Sequence, residues 1–275
     1  MLETASETAA PAVRRKRSRV GALVFLAAGV ILATDALWIE PFHIEVTHYE
    51  VHAPVSAPLK IAHLTDIHTN GQGRRERRLF QLFADEKPDV IVIAGDTIST
   101  LGGGYAEVQE LYQQMHAPLG VWVVRGNCEN ARPVHRERAF YEDAGVHLLV
   151  NGNHPLRPDV WIVGLDDLSS GTPRLDAALS GVPPGVFTIA LFHSPAFFDR
   201  AAGHVNLCLA GHTHGGQVRF PFLPPLWLPK GCGKYLEGWY QEDGSKMYVS
   251  RGLGMSVLPV RFLSRPEVTF ITVEP

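Results

Sequence analysis

Five times between Lys60 and Gly216 a short apolar run ends on an Asp, Asn or His. The runs are KIAHLTDIH (60–68), VIVIAGDT (90–97), VWVVRGNCE (121–129), FTIALFHS (187–194) and LCLAGHTHGG (207–216). Each is too short for a core helix and is bounded by turn residues, as expected of strands buried on both faces. Between the first three lie RRERRLFQLFADEKPD, with Leu79, Leu82 and Phe83 at helical spacing, and the helical YAEVQELYQQM (105–115). Strands alternating with helices predict an α/β core. Further runs, HLLVN, VWIVGLDD, MYVSRG and VTFITV, follow with fewer helices between them. In open α/β sheets ligands gather outside the carboxyl ends of the strands, and here five strands bring polar side chains to that edge.

The residues at those strand ends are Asp66, His68, Asp96, Asn127, His193, His212 and His214. Carboxylate, imidazole and amide oxygen form a hard-to-borderline donor set, better suited to Mn, Fe or Zn than to thiolate-loving ions. D-x-H and H-x-H place alternate residues on one side of an extended segment, so each pair is expected to aim two donors into one site. Seven donors exceed the needs of one ion and suit two. Two metals sharing a carboxylate can clamp the attacking and leaving oxygens of a phosphoryl transfer. A single D-x-H or G-D arises easily by chance; five such blocks in order, each closing a strand, do not. The other histidines lack this context: His43, His48 and His52 read as surface residues, and His63, His116, His147, His154 and His204 as structural or surface. A formal net charge of -3 carries no bulk basic signature for nucleic acid. Three cysteines, an odd number, supply no disulfide framework.

The charge is nevertheless uneven. RRKRSR at 14–19 is followed by the uncharged VGALVFLAAGVILAT, and after Asp35 by ALWI to Ile39. A bilayer-spanning helix needs ~20 mostly apolar residues, which this segment just supplies. A cleaved signal peptide and a buried core helix are the rivals, but ATDA is a poor cleavage site, and the reading is an uncleaved anchor. Basic residues before the span predict a cytoplasmic N-terminus with the rest of the chain across the membrane. The chain divides into a basic tail (1–19), a membrane-anchor helix (20–39), a linker and lead-in strand IEVTHYEV (40–57), and a domain from 58 to 275. Within it, FPFLPPLWLPKG (220–231) is apolar but too broken by proline for a helix. Two readings stand for this loop: it binds acyl chains or rests on a membrane, or it folds back on the sheet. RRERR (74–78) is a solvated helix start or an attractor of anionic groups, and Arg219 is the better candidate for phosphate contact.

DIH, GDT, GNCE, FH and GHTH resemble the five blocks of the calcineurin-like metallophosphoesterase superfamily, over about residues 58–275. GHTHGGQVRFP, YVSRGLG and PVRFLSRPEVTFITV look like its membrane-associated branch, which includes a UDP-2,3-diacylglucosamine pyrophosphatase of lipid A synthesis. The resemblance implies a four-layer α/β/β/α sandwich and hydrolysis at two divalent metals, Mn first among them. It assigns Asp66, His68 and His214 to one metal, Asn127, His193 and His212 to the other, and Asp96 to the bridge. Asn127, Cys128 and His193 are the candidate catalytic residues. In most of the family the residue after that Asn is a His that assists the leaving group or binds phosphate; here it is Cys128. A neutral thiol is a weak donor without cationic charge. Cys128 therefore points to pyrophosphate or activated diester bonds, with a packing role or an impaired enzyme as the alternatives. Three functions follow: a hydrolase of a lipid-linked pyrophosphate at a bacterial-type inner membrane, a membrane-anchored phosphodiesterase or phosphatase of broader range outside the cytoplasm, and a metal-binding membrane protein without catalysis. Nucleotide-linked lipids are cytoplasmic, whereas the basic N-terminus predicts an external domain, so these first two readings part on topology.

Overall fold

The computed structural model describes residues 13–275. The basic tail lies outside the described residues except for the helical backbone from Val13 onward.

Helix α1, Val13–Thr34, continues through 35–39 and ends in a short turn, Glu40–Phe42. It is long and apolar enough to cross a membrane, and its apolar residues are exposed. Its end is fixed to the body. Glu40 is buried, its carboxylate accepts the backbone N–H groups of Leu263 and Ser264 (2.9 and 2.5 Å), and Arg261 N–H donates to Ala36 O (3.0 Å).

The body contains two six-stranded sheets. The strands are β1 (Glu45–His52), β2 (Leu59–Leu64), β3 (Val90–Ala94), β4 (Val121–Val124), β5 (His147–Leu148) and β6 (Gly152–Arg157). Then come β7 (Val160–Gly164), β8 (Phe187–Leu191), β9 (Leu207–Ala210), β10 (Gly238–Glu242), β11 (Ser245–Val249) and β12 (Glu267–Glu274). The first sheet runs β1-β12-β2-β3-β4-β5 and the second β10-β11-β9-β8-β7-β6. In the first, β2, β3, β4 and β5 are mutually parallel; in the second, β7, β8, β9 and β11 are.

Three apolar layers separate four structural ones. Ile61, Val92 and Val124 meet Ile162, Ile189 and Leu209 between the sheets. Ala62, Ile93 and Val123 face α2 (Arg74–Glu86), α3 (Tyr105–Tyr112) and α5 (Glu137–Asp143) through Leu79, Val108 and Tyr141. Val163, Ala190 and Cys208 face α6 (Leu175–Leu179) and α7 (Phe198–Ala201). Neighbouring residues of one strand thus enter different layers, which is why the strands are apolar without alternation. This is the expected α/β/β/α sandwich.

The lead-in stretch IEVTHYEV supplies most of an edge strand of the first sheet, Glu45–His52. β1 pairs in parallel with β12, Glu45 against Glu267 through His52 against Glu274.

Three helices begin with G-x-x-E. The carboxylates of Glu76, Glu107 and, in α4 (Asn127–Ala131), Glu129 accept the N–H groups of Gly73, Gly104 and Gly126 at 2.9, 2.7 and 2.8 Å. Each satisfies an amide the helix itself leaves open.

His63 on β2 is fully buried, and neither ring nitrogen has a partner. Burial lowers its pKa from 6.5 to about 4, against a smaller upward pull from Glu267 and Asp66. The unfolded chain therefore takes up this proton below pH 6.5, while the folded chain resists until about 4. Stability is retained above pH 6.5 and falls through that window, by about 2 kcal/mol at pH 5. His63→Phe is expected to be at least as stable at pH 8 and to lose that increment of acid sensitivity. Denaturant titrations of both proteins in detergent at pH 5 and 8 measure it; an unchanged pH dependence would contradict the assignment.

Candidate metal centre

The five polar strand ends meet at one edge. Asp66 and His68 follow β2, Asp96 follows β3, and Asn127 opens α4 after β4. His193 follows β8, and His212 and His214 follow β9. The loops are tied together: Asp66 N–H donates to Gly95 O (3.0 Å), His68 N–H to Asp96 O (3.1 Å) and Gly211 N–H to His193 O (3.1 Å). The His193 ring reaches from one sheet to the other, with Nδ1 2.7 Å from Ala94 O. Asn127 is half-buried and the other six are buried.

The D-x-H and H-x-H pairs converge, but not through strand alternation. Asp66, His68, Asp96, His212 and His214 all have left-handed backbone, with φ of 49°, 43°, 52°, 72° and 51°. Such conformations cost non-glycine residues ~1–3 kcal/mol each and persist where the surroundings enforce them. Five in one site turn the donors inward at a cost the folded sheets bear.

The rings are held from outside. His68 Nδ1 lies 3.0 Å from Ile98 O, and His212 Nε2 lies 3.0 Å from Lys230 O. With His193 Nδ1 on Ala94 O, three imidazoles donate outward to carbonyls and face the centre with the other nitrogen. Metal-binding histidines are oriented in this way. Their inner nitrogens crowd together: His212 Nδ1 to His193 Nε2 is 2.9 Å, and His68 Nε2 to His214 Nε2 is 3.3 Å. Lone pairs facing at that distance repel unless a cation or proton lies among them. Asp66 Oδ1 and Asn127 Oδ1 are buried there without hydrogen-bond partners. His214 Nε2 lies 3.3 Å from Asp66 Oδ1, and His193 Nε2 lies 3.4 Å from Asp96 Oδ2. Burial lowers the basicity of His68, to a pKa of about 4. His193 behaves oppositely: against burial, Asp96 and Asp66 draw positive charge onto it and raise its pKa well above the ordinary value. Asp66, His68 and His214 form one ligand-spaced group, and Asp96, His193 and His212 another. The cluster fits metal ions.

Glycine spacing keeps the carboxylates in place. A Cβ on Gly126 would lie 2.1 Å from Asp96 Oδ1, and one on Gly211 would lie 2.5 Å from Asp66 Oδ2. Two contributors were not singled out in the sequence. Glu129 is buried and accepts four backbone N–H groups, from Asp96 (2.9 Å), Thr97 (2.9 Å), Ile98 (3.0 Å) and Gly126 (2.8 Å), which locks the GDT loop to the GNCE turn. Asp167 accepts the hydroxyls of Ser169 (2.5 Å), Ser170 (2.7 Å) and Ser194, and so steadies the turn after His193. The signal for Asp167 was the paired carboxylate closing VWIVGLDD.

Cys128 is buried among apolar side chains, and its thiol donates to Asp96 Oδ2 at 3.1 Å. Burial, then Asp96, pushes its pKa far up, so it carries a proton. Arg219 lies outside the cluster, paired with Glu237. In RRERR, Arg75 is buried and donates to Leu253 O (3.3 Å), while Arg74 lies over the Phe42 ring at the end of the N-terminal helix.

The sequence profile of calcineurin-like phosphoesterases matches residues 59–216, more than half the chain and all seven donors. The chain belongs to this family. It is a metal-dependent phosphoesterase, a hydrolase. The phosphoesterase is 32% identical to the uncharacterized metallophosphoesterase YkuE of Bacillus subtilis over 94% of its own length and 97% of that protein. It is 29% identical to an uncharacterized metallophosphoesterase of Aquifex aeolicus, over 86% and 94% of the two chains. It also matches a bovine transmembrane protein with metallophosphoesterase domain at 29% identity, over 80% of this chain and 54% of that one.

Proposed function

We propose that this phosphoesterase holds two divalent cations and hydrolyses phosphoanhydride or activated phosphodiester bonds of a lipid-linked substrate at a membrane surface. The observation that carries the reading is the pair of ligand-spaced groups that meet with imidazole nitrogens crowded against one another, beside buried Asp66 Oδ1 and Asn127 Oδ1 that have no hydrogen-bond partner. Asp66, His68 and His214 would hold one ion, and Asn127, His193 and His212 the other, with Asp96 between them. Manganese is the first choice, with iron or zinc as alternatives. Ions there supply Lewis acidity and lower the pKa of water. This chain's own residues fix the arrangement: Glu129 holds the Asp96 loop, and carbonyls of Ala94, Ile98 and Lys230 set the imidazole orientations. The exposed apolar helix 20–39 and the name of the bovine relative support membrane association. UDP-2,3-diacylglucosamine is the leading substrate.

Cys128 shapes the bond cleaved. A protonated thiol turned to Asp96 gives a leaving oxygen no cationic donor, and a placed general acid is worth ~10²- to 10⁴-fold. Full-length protein in detergent, loaded with Mn, is expected to cleave pyrophosphate and nitrophenyl diesters about 10²-fold faster in kcat/KM than alkyl phosphomonoesters. Cys128→Ser should keep most of the activated-ester rate, and Cys128→His should raise the alkyl rate. Metal-replete Cys128→Ser that has lost orders of magnitude on activated esters would restore a direct role for the sulfur.

The run RRKRSR favours a second reading, a membrane-anchored phosphodiesterase or phosphatase of broader range acting outside the cytoplasm. Reporter fusions at the C-terminus separate the two: an external C-terminus removes the nucleotide-linked substrate.

A further inference from the structure

A cavity of about 570 Å³ opens beside the metal cluster, within the size range of small-molecule sites. His214 lines it, as do Val218, Leu226, Trp227, Val257 and Leu258. Its one amide side chain, Gln217, is turned onto the backbone: it donates to Ser256 O (2.9 Å) and Leu258 O (3.1 Å) and accepts from Ser256 N–H (2.9 Å). The wall left over is apolar, and it begins at a candidate metal ligand.

The cavity is joined to the membrane anchor by direct contacts. Glu40 and Ala36 at the end of the anchor hold residues 261–264. Phe262 in turn pairs with the cavity segment, its N–H donating to Gln217 O (2.9 Å) and its O accepting from Arg219 N–H (2.8 Å). Ser264 Oγ–H donates to His214 O (2.8 Å). Trp38 is exposed at the anchor's end with Arg74 and Arg78 beside it, the residue types that sit at a membrane–water boundary. The apolar lining is open to the outside: Leu226, Trp227, Val257 and Leu258 are each more than half exposed, and Phe222, Leu223 and Leu263, close to them in the chain, are at least half exposed as well. Exposed apolar surface of this kind marks a protein or membrane contact, and the apolar helix end fixed beside it favours lipid.

We propose that this cavity binds an acyl chain of the substrate, drawn from the bilayer, with the phosphorus placed at the metal centre next to His214. The proposal rests on the phosphoesterase reading above and adds the chain-binding site to it.

The test uses full-length metal-loaded protein and two soluble diesters, ethyl and octyl p-nitrophenyl phosphate. Water cleaves either one to nitrophenolate and the alkyl phosphate. Burying a methylene favours binding about fourfold at best, so the octyl ester should exceed the ethyl ester at least tenfold in kcat/KM. Val218→Trp, which fills the cavity, and Leu258→Asp, which charges its exposed rim, should each bring that ratio toward one at unchanged metal content. Measuring all three proteins in one detergent cancels partition into micelles. A wild-type ratio near one, with the ethyl ester still cleaved, overturns the chain site and leaves the phosphoesterase reading standing. Cleavage of neither ester by metal-replete protein overturns both. Variants that lose binding to phosphatidylglycerol vesicles yet keep the ratio would make the patch a membrane rest and overturn the proposal.

Discussion

Asp96→Ala is expected to lower kcat/KM on bis(p-nitrophenyl) phosphate by about 10³-fold or more. The reason is position. Asp96 lies 3.4 Å from His193 Nε2 and 3.8 Å from His68 Nε2, and so faces both ligand groups. Charge neutralisation at a phosphoryl group by a metal is worth several kcal/mol, and each 1.36 kcal/mol is a factor of ten. Asp96→Asn is the sharper variant, because it preserves shape and removes only charge. Both should retain less metal than the wild type. Elemental analysis and steady-state kinetics check this together, and two ions retained in Asp96→Ala would remove it from the bridge.

Glu129→Ala should be the most destabilising single change near the site, by about 4 kcal/mol, with metal lost as well. The carboxylate accepts four buried N–H groups, and alanine leaves all of them unmatched. Hydrogen bonds to a charged group are worth about 1.5–3 kcal/mol each, and buried donors left open add a penalty. Part of this is offset, because burial and then Asp96 raise the Glu129 pKa to about 7. Glu129→Gln keeps one acceptor oxygen but turns an NH₂ toward donors, so it should fall between alanine and wild type. Thermal melts with and without added metal measure both variants. Wild-type stability in Glu129→Ala would mean the loop holds itself.

The sequence showed the parts of this molecule that are written locally. An apolar run of strand length ending in Asp, Asn or His is a short-range pattern, and so is the Leu79, Leu82, Phe83 stripe that packs under the first sheet. Other features depend on distant partners. β1 joins β12 from the far end of the chain, Glu45 against Glu267, and no local pattern specifies that pairing. Glu129 reads as an ordinary acid in a helix start until Thr97 and Ile98 fold over it. Arg261 carries no signal either: its fully buried guanidinium donates to the carbonyls of Gly254, Ser264, Arg251 and Gly252, and burial lowers its pKa to about 9. The left-handed backbone at five donors was likewise invisible, because Asp and His adopt it only under pressure from the surrounding loops.

The docking of Glu40 onto Leu263 and Ser264 makes the proposed anchor a bracket rather than a leash. A catalytic head on a slack tether sweeps through solution and meets substrate in three dimensions. A bracketed head keeps a constant height above the lipid and searches a plane. With the lipid-linked substrate proposed above, the governing concentration for such an enzyme is a mole fraction within the bilayer. Inert lipid added at fixed bulk substrate should then slow turnover, as a crowd dilutes partners on a dance floor of growing size.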